Sequence, residues 1–141
     1  MPELPEVETT VRALQRTIIG HTFSDVWNDW PKTVRQAGGL PHLKKVLRGK
    51  KIHAVRRRAK FIVIDIEGAY SLFIHQKISG HLLYGKWRKK VGRYVSVIPG
   101  PLADDPENKY IRVLFSFTNG YQLALCDLRR FGKVMLVHDD K

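Results

Sequence analysis

The sequence predicts a mainly β fold: a two-layer β-sandwich of about eight antiparallel strands, with one long N-terminal α-helix packed against it. Three observations predict it. Near the start of the chain, apolar residues recur at spacings of three and four over a long stretch. Beyond Gly20 they come in short β-rich runs bounded by Gly, Pro, Asn and Asp. One such boundary, Thr118-Asn119-Gly120, is a hairpin-turn signature between two alternating runs. The 141 residues, 43% of them hydrophobic, suit one domain with a real core.

Taken in order, Leu4, Val7, Val11, Leu14 and Ile18 place one apolar stripe on a helix from roughly Pro5 to Ile19. Pro5 suits its first turn, Glu6 and Glu8 the positive end of its dipole, and Gly20 its stop. His21–Trp27 reads as the first strand, Gly38-Gly39 as a break and Leu40–Leu47 as a short helix. Lys51–Arg58, Phe61–Ile66, Tyr70–His75 and His81–Trp87 read as strands. Residues 88–109 are charged and carry Pro99-Gly100-Pro101 and Asp104-Asp105-Pro106, so most of them read as a long loop. Tyr110–Phe117 and Tyr121–Cys126 flank the Asn-Gly turn, and Gly132–Val137 is the last strand.

Charge narrows the partners. Lys and Arg number 25 against 13 Asp and Glu, a net charge of +12. The excess is clustered. Nine basic residues and no acid lie between Lys44 and Lys60; Lys86, Arg88, Lys89, Lys90 and Arg93 form a second group, and Arg129, Arg130 and Lys133 a third. Acid-free clusters of this kind point to a polyanion, most often nucleic acid, rather than to general solvation. No apolar run approaches the roughly 20 residues that span a bilayer, and Glu3, Glu6 and Glu8 stand where a signal peptide would be cationic. Cys126 is the only cysteine. An internal disulfide and a four-cysteine zinc site within this chain are therefore excluded, and a reducing cytosol is expected.

The least ordinary chemistry lies in Pro2-Glu3-Leu4-Pro5-Glu6. Removal of Met1 leaves Pro2 as a secondary amine with a pKa of about 8, partly neutral and nucleophilic near pH 7. Attack on an aldehyde-like carbon gives an iminium ion, an electron sink for eliminations. Glu3 and Glu6 stand near enough in sequence to move the protons such a reaction needs. Taken alone, the six residues from Met1 to Glu6 fit an ordinary Met-Pro helix start as well.

Four stretches form a set: Pro2 to Thr9; Arg57-Arg58-Ala59-Lys60-Phe61 on the rise into an apolar strand; His75-Gln76-Lys77-Ile78-Ser79-Gly80; and Asp127-Leu128-Arg129-Arg130-Phe131-Gly132. In order and spacing, over nearly the whole chain, the set resembles the formamidopyrimidine-DNA glycosylase family, bacterial repair enzymes that remove oxidised purines. The resemblance implies a bifunctional DNA glycosylase and abasic-site lyase. Pro2 would attack C1′ of the damaged nucleotide, and β- and δ-elimination would cut the strand on both sides of the sugar. Glu3 would protonate or deprotonate the opening sugar, and Glu6 would orient the terminus or assist proton transfer. Lys60, Arg58 and His75 would hold phosphates, although Lys60 alone also reads as a surface lysine and His75 as a strand-end residue. A base within a duplex is out of reach, so the nucleotide must be flipped out. The resemblance gives Arg129 the orphaned base and Phe131 the wedge between base pairs, with Arg130 beside them; Phe131 alone would equally suit a core. The family usually carries Met where Ile78 stands. Ile is stiffer and shorter in reach, which implies less adaptable filling of the void and a changed preference for the opposite base.

Family members continue into a helix–two-turn–helix domain and a zinc finger. The expectation is therefore that residues 1–141 are the N-terminal catalytic domain, excised from a longer protein, with no metal or cofactor in this chain and one structural zinc in the missing half. The expected partner is double-stranded DNA with a damaged or abasic nucleotide, the expected state a monomer, and the expected place the bacterial cytoplasm at the nucleoid. A second reading is a non-catalytic nucleic-acid-binding domain, inert as an isolated fragment. A third, a tautomerase using an N-terminal proline as base, fits less well, because such chains are shorter and lack the Arg129–Phe131 loop.

Overall fold

The computed structural model describes residues 4–29, 31–76, 80–90, 93–96, 110–127 and 132–138. Ten strands lie among them. These are β1 (Phe23–Asn28), β2 (Ile52–Arg58), β3 (Phe61–Ile66), β4 (Tyr70–His75), β5 (Gly80–Gly85), β6 (Trp87–Lys90), β7 (Arg93–Ser96), β8 (Ile111–Phe117), β9 (Gln122–Asp127) and β10 (Lys133–His138). The helices are α1 (Leu4–Thr17), α2 (Leu40–Leu47) and a 3₁₀ helix, Pro31–Ala37. One four-stranded sheet runs β1-β8-β9-β5, the other β10-β4-β3-β2, and β6-β7 form a separate ribbon. Every pairing is antiparallel.

The two-residue period of the strands makes the sandwich. Ile62, Ile64 and Ile66 of β3 and Leu72 and Ile74 of β4 are buried against Val113, Phe115 and Phe117 of β8 and Leu123 and Leu125 of β9. The intervening residues face outward, so each sheet offers one apolar surface to the other. The two open sides are roofed by helices. α1 packs on β2 and β5, the edge strands on one side; α2 packs on β1 and the 3₁₀ helix on β10, the edges on the other. Edge strands covered in this way cannot recruit another chain.

A 14-residue helix is marginal alone in water. Its stripe supplies what propensity does not: Val7, Val11, Leu14 and Ile18 are all buried, a gross gain on the order of 6–12 kcal/mol before ordering costs. Two side chains fix its direction. Glu8 Oε2 accepts from Arg57 Nε at 3.0 Å, while Gln15 Nε2 donates to the Val55 carbonyl at 2.8 Å. The helix therefore runs antiparallel to β2, with its start beside the end of that strand. Gly20, at φ 88°, turns the chain out of it.

The long loop expected over 88–109 is corrected in its first part, which forms the ribbon β6-β7. Its Trp87 and Tyr94 cover Leu114, Ala124 and Cys126 on the outer face of the β1-β8-β9-β5 sheet, as a second apolar cluster. The strand expected over His81–Trp87 is accordingly two, broken at Lys86. The 3₁₀ helix was also not expected; it buries Thr33, Val34 and Ala37.

Candidate functional site

Strand register sets the site. Arg58 pairs with Phe61, Phe61 with His75, and His75 with Lys133, a row across the β2, β3, β4 and β10 ends. In the facing sheet the terminal pair is Gly80 with Asp127. Gly132 ties the two rows together: a Cβ placed on it would lie 3.2 Å from Asp127 Oδ2 and 3.4 Å from the His75 carbonyl oxygen. The β2–β3 turn, the 76–80 connection and the 127–132 connection therefore leave the same end of the sandwich. The Glu8–Arg57 bond brings the start of α1 to that end as well. The described residues of the four stretches singled out in the sequence lie at that end.

The described site residues have defined surroundings. Glu6 is exposed in the first turn of α1, at the positive end of the helix dipole. Arg58 is exposed, its guanidinium carbon 5.5 Å from the centre of the Phe73 ring. Lys60 is half-buried and follows Ala59, whose φ of 52° is left-handed. Positive φ at the first of two loop residues and not at the second fits a II′ hairpin turn, and Arg57 Nη1 donates to the Ala59 carbonyl at 3.0 Å. His75 is half-buried, edge-on to Phe61 at 5.0 Å. Pro2, Glu3, Ile78, Arg129, Arg130 and Phe131 lie outside the described residues.

Sequence reasoning missed several neighbours. A shallow concavity of about 230 Å³ beside His75 is lined by Gln36, Phe61, His75, Lys133 and Met135. Lys133 stood in a basic cluster without a role, and nothing local marks Gln36, which the 3₁₀ helix brings across to β10. Asp127 is fully buried and its Oδ2 accepts from the Gly132 amide at 2.5 Å. Arg112, only 7% exposed, donates from Nε to the Asp127 carbonyl at 2.8 Å and from Nη1 to Asp29 Oδ2 at 2.7 Å. An arginine inside an apolar strand was the one signal that could have revealed this network.

Chemically, this end carries cations on rigid strand ends, an aromatic floor and the mouth of a helix. It suits an anionic backbone laid across the row and a reacting group at the start of the chain. Among the described residues, no three His, Cys, Asp or Glu side chains are grouped to hold a metal ion. No helix is long and apolar enough to cross a membrane.

Comparison with known proteins agrees with this geometry. The profile of the formamidopyrimidine-DNA glycosylase N-terminal domain matches residues 1–134. The formamidopyrimidine-DNA glycosylase of Pelotomaculum thermopropionicum is 34% identical over 140 residues, 99% of this chain and 45% of that protein. That of Brevibacillus brevis is 36% identical over 136 residues, 96% of this chain and 43% of that protein. Among solved structures, Lactococcus lactis Fpg in complex with DNA containing an abasic site superposes with a TM-score of 0.75 at 28% identity, covering 97% of this chain and 44% of that one. The same protein with DNA containing FAPY-dG gives 0.74 at 28%, covering 96% and 44%. The chain spans less than half the length of the relatives it matches.

Proposed function

Because the chain belongs to the formamidopyrimidine-DNA glycosylase family, we propose that it is the catalytic half of a base-excision repair DNA glycosylase and abasic-site lyase acting on oxidised purines. The observation that supports this reading is that the described residues of the four stretches lie at one end of the sandwich. Its substrate is double-stranded DNA with a damaged or abasic nucleotide; the solved complexes of the Lactococcus lactis protein hold DNA containing an abasic site or FAPY-dG. The remaining DNA contacts, with the helix–two-turn–helix domain and one structural zinc, belong to the other half. This half needs no cofactor of its own and works as a monomer in the bacterial cytoplasm, at the nucleoid.

The reaction begins at the mouth of α1. The Pro2 nitrogen bonds to C1′ of the extruded nucleotide, the bond from C1′ to the base breaks, and the sugar ring opens to an iminium ion. Glu3 moves the proton to and from the opening sugar, and Glu6 orients the terminus. The iminium draws electrons through the sugar, so the 3′ and then the 5′ phosphate leave by β- and δ-elimination. Arg58, Lys60 and His75 hold those phosphates against the strand ends. Arg129 pairs with the orphaned base, with Arg130 beside it. Phe131 wedges the duplex and Ile78 fills the void. All of this requires a free Pro2, since a retained Met1 makes its nitrogen an amide.

Borohydride trapping on abasic-site DNA tests the reading. The full-length protein with a free Pro2 is expected to give a covalent adduct of protein plus DNA mass, and the same protein with Met1 retained none. Failure of the free-Pro2 form to give an adduct would reject the enzyme in favour of a non-catalytic DNA-binding domain.

A further inference from the structure

Asp127 is buried completely at the end of β9, although carboxylates rarely leave water without a partner set that compensates them. Two of its hydrogen bonds lie at the root of one connection. Oδ2 accepts from the amide of Gly132, so one hydrogen bond joins the two ends of the segment 128–131. The Asp127 carbonyl accepts from Arg112 of β8, and Arg112 is paired with Asp29 just after β1. The chain Asp29–Arg112–Asp127–Gly132 thus runs from the β1-β8-β9-β5 sheet to the first residue before β10 in the other sheet. The connection crosses between the layers at this point. Gly132 has little room for a side chain, pressed between Asp127 Oδ2 and the His75 carbonyl.

We propose that Asp127 is a positioning residue for base extrusion: its carboxylate, tied to Gly132 and anchored through Arg112, fixes both ends of the segment that carries Arg129 and Phe131. A side chain that must part stacked bases delivers binding energy only if its mount does not yield. Fixing the mount in advance removes the ordering cost from the encounter. Asp127 therefore governs insertion and leaves the Pro2 chemistry alone. This rests on the reading of Arg129 and Phe131 as the pair that enters the duplex.

The test compares Asp127→Ala, Asp127→Asn and Phe131→Ala in the full-length protein, each with a free Pro2. Two substrates separate the steps: a lesion within a duplex, with 2-aminopurine opposite it to report unstacking, and an abasic site in a single strand, which needs no extrusion. Asp127→Ala is expected to lower duplex excision and the unstacking signal about tenfold, as for a buried amide left without its acceptor, while single-strand cleavage stays within about twofold. Asp127→Asn keeps an oxygen facing Gly132 but loses the charge, and is expected to fall only about threefold, on the duplex alone. Equal loss on both substrates, no loss on either, or an Asn variant no better than Ala would overturn the proposal. If the Ala variant does not fold, the Asn variant decides alone: a drop of about threefold confined to the duplex supports the proposal, and unchanged rates on both overturn it. Loss of unstacking in Phe131→Ala without loss in Asp127→Ala rejects the mount and keeps the enzyme. A wild type that cleaves neither substrate rejects the glycosylase reading, and this proposal with it.

Discussion

At the scale of single residues, the tightest position in the site is Gly80. A Cβ built there would sit 2.3 Å from the Gln76 carbonyl oxygen, an atom of the main chain that also accepts from the Gly80 amide at 2.9 Å. A flexible side chain could swing away, but this carbonyl moves only with the turn. Gly80→Ala is therefore expected to cost about 1–3 kcal/mol, read as a lower urea midpoint at unchanged slope; an unchanged midpoint would mean that the turn is softer than its geometry. In the sequence, Gly80 was visible only as the last letter of a motif, without its steric reason. The same holds across the site. Arg58, Lys60 and His75 could be named because their neighbours spell a family pattern, while the alignment of Arg58 and His75 in one row depends on strand register. Asp127 and Gly132 stood inside the motif, yet their bond did not show there. An acid at a strand end looks solvated, whereas Asp127 is fully buried. Gln36 carried no signal at all.

Elements were legible where local pattern and tertiary demand coincide. β3 and β4 match their expected bounds because each is an apolar run closed at both ends by polar or turn residues. α2 likewise matches, with Gly39 before it and Pro41 in its first turn. The ribbon failed for the opposite reason. Four of its eight residues are Arg or Lys, and its apolar members gain their value only by covering a sheet distant in sequence. Tyr94 is central to that cover, edge-on to Trp27 at 4.8 Å. Burial, and secondarily the Asp25 carboxylate, raise its hydroxyl above the ordinary value of about 10. The folded state thus favours the neutral phenol. Its contribution is complete below about pH 10 and is lost as pH rises through the higher folded value. Tyr94→Phe carries no such proton. Above about pH 10, wild type is expected to lose stability relative to Tyr94→Phe, with the tryptophan emission of Trp27 and Trp87 reporting release of the ribbon. Parallel curves for the two proteins would remove Tyr94 as the cause.

At the scale of the whole molecule, the net charge of +12 overstates what faces DNA. Arg56 is bonded to Asp65, Arg57 to Glu8 and Arg112 to Asp29, while Asp25 lies within 4.0 Å of both Lys44 and Arg48. The Lys44–Arg48 group also belongs to a different place. Asp25 pairs with Ser116 near the far end of β8, and Gly49 bonds back to Phe23, so this basic surface lies away from the strand ends where Arg58 and Lys60 stand. Charge clustering in sequence pointed to a polyanion but did not separate these two surfaces, since Lys44 and Lys60 fall in one acid-free run. A salt titration separates them. Each cation that replaces a counterion on DNA adds about 0.9 to the slope of log affinity against log salt. Arg58, Lys60, Arg129, Arg130 and Lys133 together would account for a slope of about −4.5 from this half. The other half adds its own contacts in the full-length protein, so the difference between variants is the informative quantity. Lys60→Ala is expected to flatten the slope by about 0.9, whereas Lys45→Ala, exposed on α2, is expected to leave it unchanged. Equal effects of the two substitutions would mean that the protein is held to DNA by diffuse charge and not by the row of strand ends. The orientation of the duplex across the β2–β3 turn would then have to be abandoned, while the chemistry at Pro2 would stand.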